Sequence, residues 1–178
     1  MREPQSRAIH LKDYAPPPFR VEEVELDVDI RDDHALVAAK LEIRRNAPGP
    51  LVLDGEELEL LSVSLNGKTP RHDVTAEKLT LHDVPDAFTL ETVTRIVPQK
   101  NTKLEGLYAT KHGYVTQCEA EGFRRITWFT DRPDVMARYT TTVRAKYPVL
   151  LSNGNLVASG PGWAKFRDPF PKPSYLFA

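Results

Sequence analysis

Apolar side chains recur at every second position through much of this sequence, and turn residues break the pattern about every ten residues. A period of two sends alternate side chains to opposite faces of an extended strand, so such a chain buries one face of a sheet and does not pack as amphipathic helices. Val24, Leu26, Val28 and Ile30 alternate with Glu25, Asp27 and Asp29. Val37, Ala39, Leu41 and Ile43 repeat the pattern after Arg31-Asp32-Asp33, which predicts a hairpin. Leu51-Val52-Leu53 stops at Asp54-Gly55, and Leu61, Val63 and Leu65 stop at Asn66-Gly67, a pair that tolerates positive φ. Leu79 with Leu81, Phe88 to Val97 before Pro98, Gly113 to Cys118, Tyr139 to Ala145, and Val149 to Leu151 before Asn153-Gly154 continue the series. The only helical candidate is a single turn, at most, near Pro133–Ala137, with proline at a first-turn position. Asp168 to Pro173 reads as extended and stiff, and Ser174 to Ala178 as the start of an apolar strand. The spacing predicts an all-β fold of mostly antiparallel sheets, sandwich-like or saddle-like.

The chain has 178 residues, enough for one domain (1–178) that buries about 70% of its unfolded surface. Lys and Arg number 24 against 25 Asp and Glu, and the pairs Arg44-Arg45 and Arg124-Arg125 are too short for a basic stripe, which excludes a nucleic-acid partner. One cysteine allows no internal disulfide and suits a reducing compartment. Met1 to Lys12 lacks the apolar run of a secretory signal, and no stretch reaches the about 18 apolar residues of a membrane span. A soluble, cytoplasmic protein without a membrane partner is expected. A chain that stops on the apolar residues Ser174–Ala178 reads as part of a longer polypeptide.

Most familiar chemistry is missing. No histidine is followed by glutamate, so no His-Glu-x-x-His helix exists, nor does a phosphate loop or a Gly-x-Ser-x-Gly elbow. His10, His34, His72, His82 and His112 lie far apart and read as solvated loop residues, with no metal site. The alternation accounts for Glu25, Asp27 and Asp29 as the wet face of a strand. Cys118, between Gln117 and Glu119, reads as a buried structural thiol, because a neighbouring carboxylate discourages the thiolate. One stretch departs from strand grammar: Thr116 to Ile126, where a polar cluster is followed by Gly122, which permits an unusual backbone turn, then Phe123 and two arginines. It fits a loop with local ion pairs, and equally a carboxylate held on a strand end to receive a cation. On the residues alone, a non-enzymatic β-sandwich binding module with this loop as its rim is the favoured reading.

Several separated stretches carry a family resemblance. Leu51-Val52-Leu53-Asp54-Gly55, Leu104-Glu105-Gly106-Leu107-Tyr108, Thr116 to Arg125, Asp131 to Thr142, Tyr147 to Asn155 and Asp168 to Ala178 together resemble the N-terminal domain of the bacterial aminopeptidase N family. These are zinc exopeptidases of the gluzincin class. The resemblance implies a largely antiparallel β saddle over part of a catalytic domain. That domain carries His-Glu-x-x-His, a downstream glutamate and Gly-Ala-Met-Glu-Asn, none of which is in this sequence. By the same resemblance zinc belongs to the parent protein, none is bound here, this chain holds no catalytic residue, and its partners are its own catalytic domain and peptide N-termini.

The resemblance also implies that Glu119 and Gln117 are substrate-binding. Glu119 accepts a hydrogen bond from the substrate's α-amine, and Gln117 contributes its side-chain carbonyl. A peptide α-amine, with a pKa of about 7.7–8.0, is mostly a three-donor ammonium at neutral pH, and carboxylates are its strongest acceptors. Glu121 is read as structural and paired with Arg124 or Arg125, while Cys118, between the two polar residues, faces the core. A cis peptide is implied at Glu119–Ala120. The face that meets the catalytic domain should carry exposed apolar side chains beside the Gln117–Glu119 rim. Val157 to Phe166 is shorter than in relatives and reads as a tight hairpin.

Overall fold

The alternation is cleanest at the start of the chain, and there it builds the longest hairpin. In a computed structural model that describes residues 10–178, β1 (Phe19–Ile30) and β2 (Ala35–Arg45) pair antiparallel from Phe19 opposite Arg45 to Ile30 opposite Ala35. Val24, Leu26 and Val28 are buried, as are Val37, Leu41 and Ile43 across from them. The doublet Glu22-Glu23 breaks the period, and a bulge between Val21 and Glu23 absorbs it, so that Val21 and Val24 both face inward. Met1–Ile9, part of the stretch read for a secretory signal, lies outside the described residues.

Ten further strands follow. They are β3 (Leu51–Asp54), β4 (Glu59–Leu65), β5 (His72–Val74), β6 (Lys78–Leu81), β7 (Ala87–Ile96), β8 (Gly106–Thr110), β9 (Gly113–Gln117), β10 (Met136–Arg144), β11 (Asn155–Gly160) and β12 (Trp163–Pro173). Seven of the twelve strands form one sheet in the order β11-β12-β10-β1-β2-β7-β4, beside a three-stranded sheet β3-β6-β5 and the hairpin β8-β9. Every pairing is antiparallel except β1 with β10, which run parallel from Glu23 beside Arg138 to Asp29 beside Arg144. The expected all-β, mostly antiparallel architecture is what forms. Inward residues of the large sheet (Leu26, Leu41, Leu90) and of the three-stranded sheet (Leu51, Leu53, Leu79, Leu81) join Phe123, Trp128 and Phe129 in one core.

Three local expectations differ from the structure. Pro133–Ala137 is not a helical turn: Val135 N–H donates to Arg132 O at 3.2 Å, and Met136 and Ala137 already belong to β10, where pairing with Pro173 and Lys172 holds them extended. The short 3-10 turns lie at Leu11–Asp13, Pro98–Lys100, Phe123–Arg125 and Ser174–Leu176. Val149 to Leu151 is irregular, because no strand lies beside it to pair with, and the strand in that region is β11, beyond Asn153-Gly154. Ser174 to Ala178 does not start a strand: it turns, tucks Phe177 into the core, and is tied by Ala178 N–H to Asn153 Oδ1 at 2.6 Å.

The turn chemistry follows the sequence more closely. Asn66 and Gly67 take φ of 49° and 78°, and Lys68 N–H donates back to Leu65 O at 3.0 Å, but the chain then leaves the sheet and β4 pairs with β7 instead. Pro161-Gly162 closes the tight β11–β12 hairpin, with Gly162 at φ 75°. Asp168 to Pro173 is extended within β12, and residues 169–171 bulge opposite Arg138, which accommodates two prolines without N–H donors.

Candidate functional site

The loop between β9 and the Phe123–Arg125 turn carries both predicted substrate-binding residues on the surface. Gln117 ends β9 exposed, Cys118 turns inward at 2% exposure, and Glu119 is exposed again, as strand alternation requires. Burial pushes the Cys118 thiol up to about 12, with the Asp131 carboxylate adding to the shift. The Glu119–Ala120 peptide is cis. Gln117 donates through Nε2 to the Glu119 carbonyl at 3.2 Å, so its side-chain Oε1 stays available as an acceptor. Among the described residues, no hydrogen bond or ion pair engages the Glu119 carboxylate.

Gly122 closes the loop by donating its N–H to Cys118 O at 2.9 Å. Its φ of −80° and ψ of −17° are ordinary helical values, so the expectation of an unusual backbone turn is corrected. Space is what the position demands, since a Cβ there would lie 2.3 Å from Gln117 O and 2.9 Å from Gly106 N.

Beneath the loop, Phe123 packs edge-on against Phe129 and Phe177, each with ring centroids 5.1 Å away. The next two residues are held by carboxylates. Arg124 donates its backbone N–H at 3.1 Å and its Nε at 3.2 Å to the same Asp131 oxygen, and its Nη2 to the Asp131 carbonyl at 3.2 Å. The same guanidinium reaches Glu121 at 3.3 Å, one of the two pairings expected for that glutamate. Asp131 is 3% exposed, takes a hydrogen bond from Ser174 Oγ on its other oxygen, and donates its own N–H to Asp54 Oδ2 at 3.0 Å. Arg125 pairs with Glu56, with Glu57 at 3.1 Å and with Glu105 at 3.2 Å. The sequence reading did not single out Asp131, and its one signal was a carboxylate placed just after Ile126-Thr127-Trp128-Phe129-Thr130, a stretch with three large apolar side chains.

On the β9 side, an apolar groove of about 400 Å³ begins at Thr116, next to Gln117. Tyr114, Val115, Val143, Val149, Leu151 and Phe177 line it, and Val149 and Leu151 are 68% and 76% exposed. His34 and His82 each pair with a neighbouring aspartate at 2.6 Å, and among the described residues no three His, Cys, Asp or Glu side chains gather where a metal would sit.

The chain as a whole is similar to known proteins. Residues 21–176 match the peptidase M1 N-terminal domain. The chain is 47% identical to aminopeptidase N of Caulobacter vibrioides, over all of its own length and 22% of that protein. It is 43% identical to aminopeptidase N of Escherichia coli strain K12, over 99% of its length and 21% of that protein. Among solved structures, Legionella pneumophila aminopeptidase A in complex with aspartic acid superposes with a TM-score of 0.86 at 35% identity, over 94% of this chain and 22% of that one. The chain spans about a fifth of the length of the curated relatives it matches. With the family match running from β1 to the final turn, the chain belongs to the peptidase M1 N-terminal domain family.

Proposed function

We propose that this chain is the N-terminal β domain of a zinc-dependent aminopeptidase that removes residues from peptide N-termini, and that Glu119, assisted by Gln117, receives the substrate's free α-ammonium. The observation that carries the reading is the contrast within one loop. Glu121 is paired with Arg124, whereas the Glu119 carboxylate is exposed and, among the described residues, engaged by no donor. The acceptor Oε1 of Gln117 stands two residues away on the same face. An ammonium with three donors needs several such acceptors, and hydrogen bonds to charged groups are the strong ones.

The metal fits elsewhere in the parent. The described residues offer no cluster of donors for zinc, and in this reading its ligands belong to the catalytic domain. What this domain contributes is orientation: fixing the amine fixes how far the chain end lies from the reacting carbonyl, and so makes the cut after one residue. The groove beside Thr116 supports docking of the catalytic domain against this rim, since large apolar residues at its mouth stay wet without a cover. A cytoplasmic location is part of the same proposal. It is supported by the lone buried thiol, while no helix among the described residues is long and apolar enough to cross a membrane.

Glu119→Ala in the full-length parent tests the reading. KM for aminoacyl substrates should rise by about tenfold to a hundredfold, the weight of one charged hydrogen bond, while inhibitors without an α-amine bind as before. Unchanged kinetics would reject the anchor.

A further inference from the structure

We propose that the buried carboxylate of Asp131 is a positioning residue for the amine-receiving loop and acts on Glu119 through Arg124; this rests on the anchor reading given above. Glu119 and Ala120 are exposed, and with no partner on the Glu119 carboxylate among the described residues, its place is set by the backbone alone. That backbone is fixed at two ends. At one end β9 pairs with β8, and Gln117 lies opposite Gly106. At the other end the chain enters the Phe123–Arg125 turn, and Asp131 holds the turn by taking both the Arg124 peptide N–H and its Nε on a single oxygen. The guanidinium so held also bonds Glu121, two residues past Glu119. A chain of charged contacts therefore runs from the interior, at Asp131, through Arg124, to the loop itself.

Stability alone does not account for this arrangement. Burying an ion pair gains little over an apolar pair of the same volume, because desolvation offsets the attraction. Phe123 already fills the space under the loop with aromatic contacts. What an apolar side chain cannot supply is direction. Asp131 meets a peptide N–H, a guanidinium and the Ser174 hydroxyl at once, and its own N–H is pinned on Asp54. Each bond removes one way for the turn to shift, and a shift of the turn moves Glu119 relative to a bound ammonium.

The test is a double-mutant cycle in the full-length parent enzyme. Asp131→Asn keeps the volume but leaves one acceptor oxygen for groups that now use two. KM for aminoacyl substrates should rise about tenfold with kcat nearly unchanged, and the affinity of a competitive inhibitor without an α-amine should hold. In a Glu119→Ala background the same substitution should add nothing, because the group it positions is gone. Ser174→Ala, which removes a single donor, should give a smaller rise in KM of the same kind. If Glu119→Ala raises KM but Asp131→Asn does not, or if the two effects add in full, or if amine-free ligands weaken equally, the positioning role is overturned while the anchor stands. An unchanged KM for Glu119→Ala overturns the anchor and this proposal together. Should Asp131→Asn fail to fold, Ser174→Ala and Arg124→Lys carry the comparison, and an unchanged KM in both overturns the proposal.

Discussion

Single residues in the Gln117–Gly122 loop make the sharpest demands. Cys118 has its thiol raised from an ordinary 9.0 to about 12, chiefly by burial. As pH climbs past 9 the unfolded chain gives up this proton first, so the thiol's contribution to stability is complete below 9 and is lost between 9 and about 12. The melting temperature should fall across that window by more than in Cys118→Ala, measured by calorimetry. The same burial predicts that iodoacetamide at pH 8 leaves the folded thiol intact and labels it once denaturant is added, as read by mass spectrometry. Gly122→Ala should cost about 1–3 kcal/mol and lower the melting temperature, because its Cβ would strike Gln117 O at 2.3 Å. At this scale alternation made the sidedness of Gln117, Cys118 and Glu119 legible. It could not reveal Asp131 as the partner of Arg124, since a carboxylate buried by tertiary contacts leaves no mark on the local period.

Strands were legible where one face is dry and the other wet. β1 and β2 carry that contrast residue by residue, so their hairpin could be read directly. β11 carries none of it: five of its six residues are exposed, and it is held by backbone pairing to β12, a reason that no hydrophobic count detects. Val149 to Leu151 is the converse, an apolar run that found no neighbouring strand and lines a groove instead. The turn between β11 and β12 offers a clean test. Gly162 sits at φ 75° with its nearest prospective Cβ contact an ordinary 3.6 Å, so Gly162→Ala should cost about 1–2 kcal/mol from conformation alone. Chemical denaturation should register that loss with an unchanged slope, whereas at Gly122 the same substitution fails for lack of room.

For the molecule as a whole, the exposed groove beside Thr116 should govern behaviour in solution. The isolated chain should self-associate as concentration rises, and replacing Val149 and Leu151 by serine should shift it toward monomer in sedimentation velocity. An isolated, unsubstituted chain that stays uniformly monomeric at high concentration would count against an apolar docking face. By itself the domain should bind free amino acids no tighter than millimolar in calorimetry, since one exposed carboxylate facing water gains little from an ammonium. The sheet order carries a last consequence. The middle of the large sheet joins β1, from the beginning of the chain, to β10, and every residue from β2 to β9 is threaded between them. A ribosome must therefore release β10 before β1 can gain its second neighbour, so the nascent hairpin waits half-covered while the residues from β3 to β10 are made, and its open edge is of the kind that chaperones shield.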